Sequence, residues 1–252
     1  MPKLLQKTYF MKLKTKINCY TIAGLLALFI LVTILSMAGA FAAIDDFAFR
    51  VGQLISNPTI LHIMQFIADF VGMWYVVLLF TLFLIAVPFT RHKYGFPLAV
   101  ALGASRYLNI ILKEAFSRPR PRYFVYAGSY SFPSGHSQGA ATLYIGLAIL
   151  LFDTIRRHKG FIALAVVYAL LTLITGFQRV MIRVHYLGDV IAGFSIGIAI
   201  AIAAFMLLEL VGSLTARFKR YKLIRYFHEI VFCKYKYPDP AAVLPNSPII
   251  NN

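Results

Sequence analysis

Three clusters of residues in this chain have the types and spacing to do chemistry. The first is Lys113, then six residues, then Arg120-Pro121, in KEAFSRPRPR, with Arg118 and Arg122 beside them. The second is Pro133-Ser134-Gly135-His136, which runs directly into an apolar stretch. The third is Gln178-Arg179, then His185, then Asp189 four residues on. A helix that starts at Ser and Gly presents free N–H groups, and facing Lys and Arg make it an anion site, with phosphate the commonest such anion. His185 and Asp189, four apart, share a face on a helical turn. A carboxylate on one ring nitrogen fixes the tautomer and leaves the other free as nucleophile or base. If both polar segments stand on one side of a membrane, His136 and His185 face each other across a site walled by Lys113, Arg120 and Arg179. That set suits phosphoryl transfer: cations neutralise the equatorial oxygens, one His attacks phosphorus in line and the other protonates the leaving oxygen. The inventory calls for no metal and no cofactor.

The elements that would position these residues are membrane spans. Of 252 residues 60% are hydrophobic and 13% charged, a bilayer composition rather than a soluble one. A net charge of +16 would suggest nucleic acid in a soluble protein, but here the cations sit in tails and short loops, where they orient a membrane protein. No nucleic-acid partner is expected. The two cysteines, Cys19 and Cys233, indicate neither a disulfide framework nor a Cys-based metal site.

Six crossings are expected, at Cys19–Ile44, Phe70–Phe89, Phe96–Phe116, His136–Phe152, Phe161–Gly176 and Val190–Gly212. An amphipathic outer segment, Phe47–Phe70, lies between Asp45, Asp46 and Asp69, and Gln178–Asp189 reads as a polar segment. The ending Ala38-Gly-Ala-Phe-Ala-Ala resembles a signal-peptidase site, yet the apolar run before it far exceeds a signal core of about 7–15 residues and reads as a retained anchor. The domain expectation is a basic cytoplasmic tail over 1–18, a six-span catalytic domain over 19–215, and a basic, then disordered, cytoplasmic tail over 216–252. The fold class is all-α: a polytopic bundle of six transmembrane helices with a short amphipathic outer helix.

With the N-terminus inside, seventeen of the 25 Lys and Arg fall on the inner side and seven on the outer. Six of those seven stand in just two loops, which hold the three clusters. Singly, a loop His or basic pair reads as solvated surface, and Arg118, Arg122 and Arg183 are read so. Arg106, inside a span, lines a pocket or forms a structural pair.

Taken in order, the three clusters resemble the type 2 phosphatidic acid phosphatase superfamily. The resemblance covers about Phe96 to Gly212, and the six-span layout is also that family's. It implies that Lys113, Arg120, Ser134, Gly135 and Arg179 bind phosphate, that His185 is the nucleophile forming a phosphohistidine, that Asp189 orients it, and that His136 is the general acid. The family's third motif usually opens with Ser where this chain has Gln178, an amide that still reaches a phosphate oxygen but is bulkier. The implied activity is hydrolysis of a lipid phosphate or diphosphate in the cell membrane, with the active site extracytoplasmic and both termini cytoplasmic. Undecaprenyl diphosphate is the first expected substrate, and phosphatidylglycerol phosphate or phosphatidic acid the second. The expected partners are the lipid substrate and the bilayer; the oligomeric state is not readable. An anion transporter would show broken or repeated spans with midplane charges. A non-catalytic lipid-binding protein would not need a paired His and carboxylate. The superfamily's soluble haloperoxidases lack such apolar spans.

Overall fold

A computed structural model describes residues 3–54, 57–60, 62–63, 66, 92–121, 130–155 and 160–217. Among them six long helices are seen: α1 Lys3–Met37, α2 Ala42–Leu54, α3 His92–Phe116, α4 Gly135–Ile155, α5 Gly160–Met181 and α6 Leu187–Arg217. The expected second span, with Trp74, lies outside the described residues, as do most of the basic C-terminal tail and Arg122.

Helix α6 is the centre of the bundle. It packs on α1, α3, α4, α5 and α2, while α4 also meets α3 and α5, and α2 also meets α5. Two glycines let α4 and α6 approach backbone to backbone. A Cβ at Gly193 would lie 2.7 Å from the Ser134 carbonyl oxygen, and one at Gly197 2.4 Å from that of Gln138.

Among the described residues three stretches are long and apolar enough to cross a membrane: Lys16–Met37, Gly160–Met181 and Leu187–Val211. Their outer faces carry Ile30, Ile34, Val166, Leu170, Leu173 and Leu207, all largely exposed, as side chains facing lipid should be. Helices α3 and α4 are less apolar because they face each other with polar side chains. Gln138 donates to the Ser105 carbonyl (2.7 Å) and hydroxyl (3.1 Å), and Asn109 donates to Gln138 Oε1 (2.9 Å). Thr142 reaches Ser105 Oγ at 3.0 Å and the Gly197 carbonyl at 3.1 Å. Every one of these four side chains is buried and hydrogen-bonded, the condition under which polar groups are tolerated at membrane depth. Arg106, by contrast, is exposed on α3 rather than lining the pocket.

The apolar run Cys19–Ile44 is not one crossing. Its helix stops at Met37, and Gly39, at φ 74°, turns the chain so that α2 begins at Ala42. A left-handed glycine at this point is the usual helix stop, and hydropathy does not register it. The Ala- and Gly-rich stretch is thus the corner between span and amphipathic helix. On α2, Asp45 and Gly52 are buried and Ala48 and Phe49 half-buried, giving one inward face, while Ile44, Phe47 and Leu54 are exposed. The amphipathic helix therefore starts earlier than the expected Phe47.

Candidate active site

Each cluster sits where a helix starts or stops, at one end of the bundle. Helix α3 ends at Phe116 because Ser117 is left-handed, at φ 45°, with its N–H returned to the Lys113 carbonyl at 2.9 Å. The chain then folds back as Arg118-Pro119-Arg120-Pro121. Ser131 fastens this return: its N–H donates to the Arg118 carbonyl (2.8 Å), and its hydroxyl lies 3.2 and 3.0 Å from the Arg118 and Pro119 carbonyls. Phe132, fully buried, anchors the loop between Phe29 of α1 and Phe116 of α3, with ring centroids 6.0 and 5.1 Å away. The Lys113 ammonium donates to the Tyr130 carbonyl and, at 3.4 Å, to that of Ser131.

Ser134 caps α4. Its hydroxyl lies 3.4 Å from the Ser137 N–H and 2.9 Å from the Ser137 hydroxyl. Its own N–H is spent on the Asp189 carbonyl, 3.0 Å away. Ser134 is buried, whereas Gly135 and His136 are only half-buried. The donors that the α4 N-terminus offers to a ligand are therefore the amides of Gly135 and His136.

The third cluster is more helical than its polarity suggests. Gln178 and Arg179 lie in the last turn of α5, both buried, so the expected polar segment Gln178–Asp189 shrinks to a turn over 182–186. That turn uses Arg183 at φ 58°, and the Val184 and His185 N–H groups return to the Arg179 carbonyl at 3.2 and 3.3 Å. Asp189 lies in the first turn of α6, where its Oδ2 accepts the Tyr186 N–H at 3.0 Å, the carboxylate half of a capping box.

His185 Nδ1 is 3.3 Å from Asp189 Oδ2, and its Nε2 is 3.5 Å from Arg120 NH1. Nδ1 therefore carries the hydrogen, donated to the carboxylate, and Nε2 presents its lone pair toward a guanidinium that also donates to the Val184 carbonyl at 2.8 Å. Burial lowers the His185 pKa to about 4, with Lys113 and Arg120 pushing the same way and Asp189 opposing them. The ring is neutral at physiological pH, as a nitrogen nucleophile must be. His136 has the cations Arg179, Arg120 and Lys113 and the His185 ring as its neighbours. His136 and His185 thus share Lys113 and Arg120 as neighbours, with Arg179 near His136 and Asp189 against His185, while Ser134 and Gln178 are buried.

One reading of the sequence needs correction. Arg118 is not solvated surface: its NH1 is 2.6 Å from Asp189 Oδ1, with the side chain 13% exposed, and its guanidinium lies 4.1 Å over the Tyr186 ring. Sequence reasoning also missed Asp45, whose buried carboxylate accepts the Leu187 N–H at 2.8 Å and so satisfies an orphan donor of α6. Burial raises the Asp45 pKa, while the Leu187 N–H and the Arg118 charge oppose that rise. The basic run around Arg120-Pro121 was visible in the sequence; the partner of Arg118, 71 residues away, was not.

A lipid-faced helical bundle that opens on a cation-lined, carboxylate-oriented histidine has the architecture of a membrane enzyme acting on phosphate groups. Residues 94–211 match the model of the PAP2 superfamily. The chain is 29% identical over 181 residues to phosphatidylglycerophosphatase B of Bacillus subtilis (strain 168), covering 68% of this chain and 88% of that protein. It is 36% identical over 99 residues to lipid A 1-phosphatase of Rhizobium etli, covering 34% and 38%. Among solved structures it resembles the transmembrane PAP2-type phosphatidylglycerolphosphate phosphatase of Bacillus subtilis, with TM-score 0.66, 26% identity, and 80% of this chain and 99% of that one covered. It also resembles Aquifex aeolicus LpxE, with TM-score 0.51, 25% identity, and coverage of 63% and 92%. Residues 94–211 carry the PAP2 superfamily match, and the chain is a membrane lipid phosphatase.

Proposed function

We propose that this phosphatase removes the terminal phosphate of a bilayer-embedded lipid at the outer membrane face, through a phosphohistidine on His185. The observation that carries the reading is the orientation of His185, with Nδ1 turned to Asp189 and Nε2 to Arg120. In this scheme Nε2 attacks phosphorus in line while Lys113, Arg120, Arg179 and the amides of Gly135 and His136 take the charge of the equatorial oxygens. The P–O bond to the lipid breaks, and His136, protonated when the negative charge of the bound phosphate offsets its cationic neighbours, gives that proton to the departing oxygen. His136 then takes a proton from water, whose oxygen attacks the phosphohistidine, freeing phosphate and neutral His185. Gln178, buried beside Arg179 where the family usually has Ser, tunes the fit of the phosphate rather than the reaction class.

The outer-face placement rests on the bias of Lys and Arg toward the opposite loops and tails, which keeps both termini inside. For the substrate, the likeness to phosphatidylglycerophosphatase B favours phosphatidylglycerol phosphate. Undecaprenyl diphosphate is the second reading; it too offers a terminal phosphate on a lipid whose tail stays in the bilayer. The test is phosphate release by the purified full-length protein in mixed micelles, over both lipids, phosphatidic acid and a lipid A 1-phosphate, in EDTA, with His185→Ala as blank. The reading expects turnover in EDTA and inhibition by vanadate, which mimics pentacoordinate phosphorus. Activity lost in EDTA and restored specifically by one divalent ion would overturn the scheme, and the preferred lipid decides between the substrates.

A further inference from the structure

We propose that Arg118 is a positioning residue: it holds the Asp189 carboxylate, and through it the His185 ring, in the orientation the nucleophile requires. This inference rests on the phosphohistidine reading and names a residue that reading does not use.

The two oxygens of Asp189 have separate partners. Oδ2 faces His185 Nδ1 and accepts the Tyr186 N–H; Oδ1 receives Arg118. The torsion that turns a carboxylate about its Cβ–Cγ bond is broad, so a carboxylate tied at one oxygen is free to swing. Tied at both, its plane is fixed, and the remaining lone pair of Oδ2 points at the imidazole. Arg118 is held for this task from several sides. The left-handed Ser117 starts its turn, Pro119 restricts its backbone, and its carbonyl is bound by the Ser131 N–H and hydroxyl. Its guanidinium stacks on Tyr186, a ring packed in turn against Phe49 of α2, with centroids 6.0 Å apart. Asp45, also on α2, fixes the neighbouring Leu187 N–H and attracts Arg118 electrostatically. Arg118 reaches Asp189 through the oxygen that His185 does not use. Its contribution therefore belongs to the orientation of the nucleophile, not to phosphate binding.

The experiment compares full-length Arg118→Ala, Arg118→Lys and His185→Ala in detergent, by kcat and KM on a lipid monophosphate, the pH dependence of kcat/KM, and phosphoenzyme trapping. Losing the orienting partner of a catalytic side chain typically costs about 10–100-fold. Arg118→Ala is expected to lower kcat by that factor with KM within about twofold. Its acid limb should move to higher pH, because Asp189 then shares its charge with His185 alone and favours the imidazolium. The other charged groups facing this pair are Lys113 on α3, Arg120 on the connection, His136 on α4, Arg179 on α5 and Asp45 on α2. All remain in every Arg118 variant, so the shift reports Arg118. Arg118→Lys keeps the charge and is expected to return the acid limb most of the way, and it serves as the folded comparison where Arg118→Ala melts early. A raised KM with kcat and acid limb unchanged would make Arg118 a phosphate contact and overturn the proposal. Unchanged kinetics beside an inactive His185→Ala would overturn the proposal alone. A phosphoenzyme that survives His185→Ala would overturn the nucleophile assignment, and this proposal with it.

Discussion

The Ser134 amide donates to the main-chain carbonyl of Asp189 across 3.0 Å, joining the first turn of α4 to the first turn of α6. His136 lies two residues from one partner and His185 four from the other. The separation of the two histidines is therefore set by main chain, not by long side chains.

The two histidines should be separable by leaving group. His185→Ala is expected to abolish turnover and phosphoenzyme on every substrate. His136→Ala removes a proton donor, worth ~10²–10⁴-fold on a lipid alkoxide. An activated aryl phosphate leaves without a proton, so His136→Ala should still form much of its phosphoenzyme there. Trapped phosphate in His185→Ala, with His136→Ala dead on both substrates, would exchange the roles.

Asp189→Asn should lie between these extremes. It keeps the shape but leaves the Arg118 guanidinium buried without its counter-charge. Loss of an orienting carboxylate in a related arrangement approaches ~10⁴ in kcat; the expected fall here is about 10²-fold or more, with KM little changed. Steady-state kinetics beside the wild type check it.

Acid should affect both activity and stability. His185 titrates near 4 in the fold, against about 6.5 in an unfolded chain, so the unfolded state takes up the proton first. The contribution of this group to stability is intact above about 6.5 and declines as pH falls toward about 4. Melting in detergent from pH 7.5 to 4.5 should show the decline, and His185→Gln should make its slope shallower. A slope unchanged in His185→Gln would remove His185 as the cause.

Packing at the α4–α6 crossing should tolerate no methyl. Gly197→Ala places Cβ 2.4 Å from the Gln138 carbonyl oxygen and 3.0 Å from the Ala141 Cβ. Overpacking of this kind costs about 1–3 kcal/mol, and the Tm should drop. At Gly103 an added Cβ meets nothing within 4 Å, so Gly103→Ala should be neutral or slightly stabilising. Equal Tm values for the two variants would contradict the tight crossing.

Orientation is checked by labelling. With the native cysteines replaced, a cysteine at exposed Ser117, at the site end of α3, should react with an impermeant thiol reagent on intact cells. One at exposed Gly160, where α5 starts, should not. The reverse pattern would turn the active site to the cytoplasm.

Much of the architecture was legible in the sequence because its signals are local. Apolar runs placed α5 and α6, and the motif spacings picked out Arg120 and Asp189, which the fold sets against His185. Helix ends were less legible: Met37 stops α1 inside an unbroken apolar run, and Gln178 and Arg179 continue α5 although polar. Long-range polar pairs left no mark. Arg118 looks like any arginine beside proline until Asp189 is folded against it, and Asp45 meets Leu187 from 142 residues away. Gln138 was hidden for the same reason, since its partners Ser105 and Asn109 belong to another helix.

The polar contacts between α3 and α4 also govern how the protein is made. Leaving the translocon singly, α3 would bring the Asn109 amide, and α4 the Gln138 amide, into hydrocarbon without the partner each has on the other helix. Asn109 finds its partner in Gln138, and Ser105 in Gln138 and Thr142, only after the connection through Phe132 has been synthesised. Biogenesis is therefore expected to retain α3 at the lateral gate until α4 emerges, and to release the two as a pair. The closing contact, from Thr142 to Gly197, waits for α6, the last of the described helices.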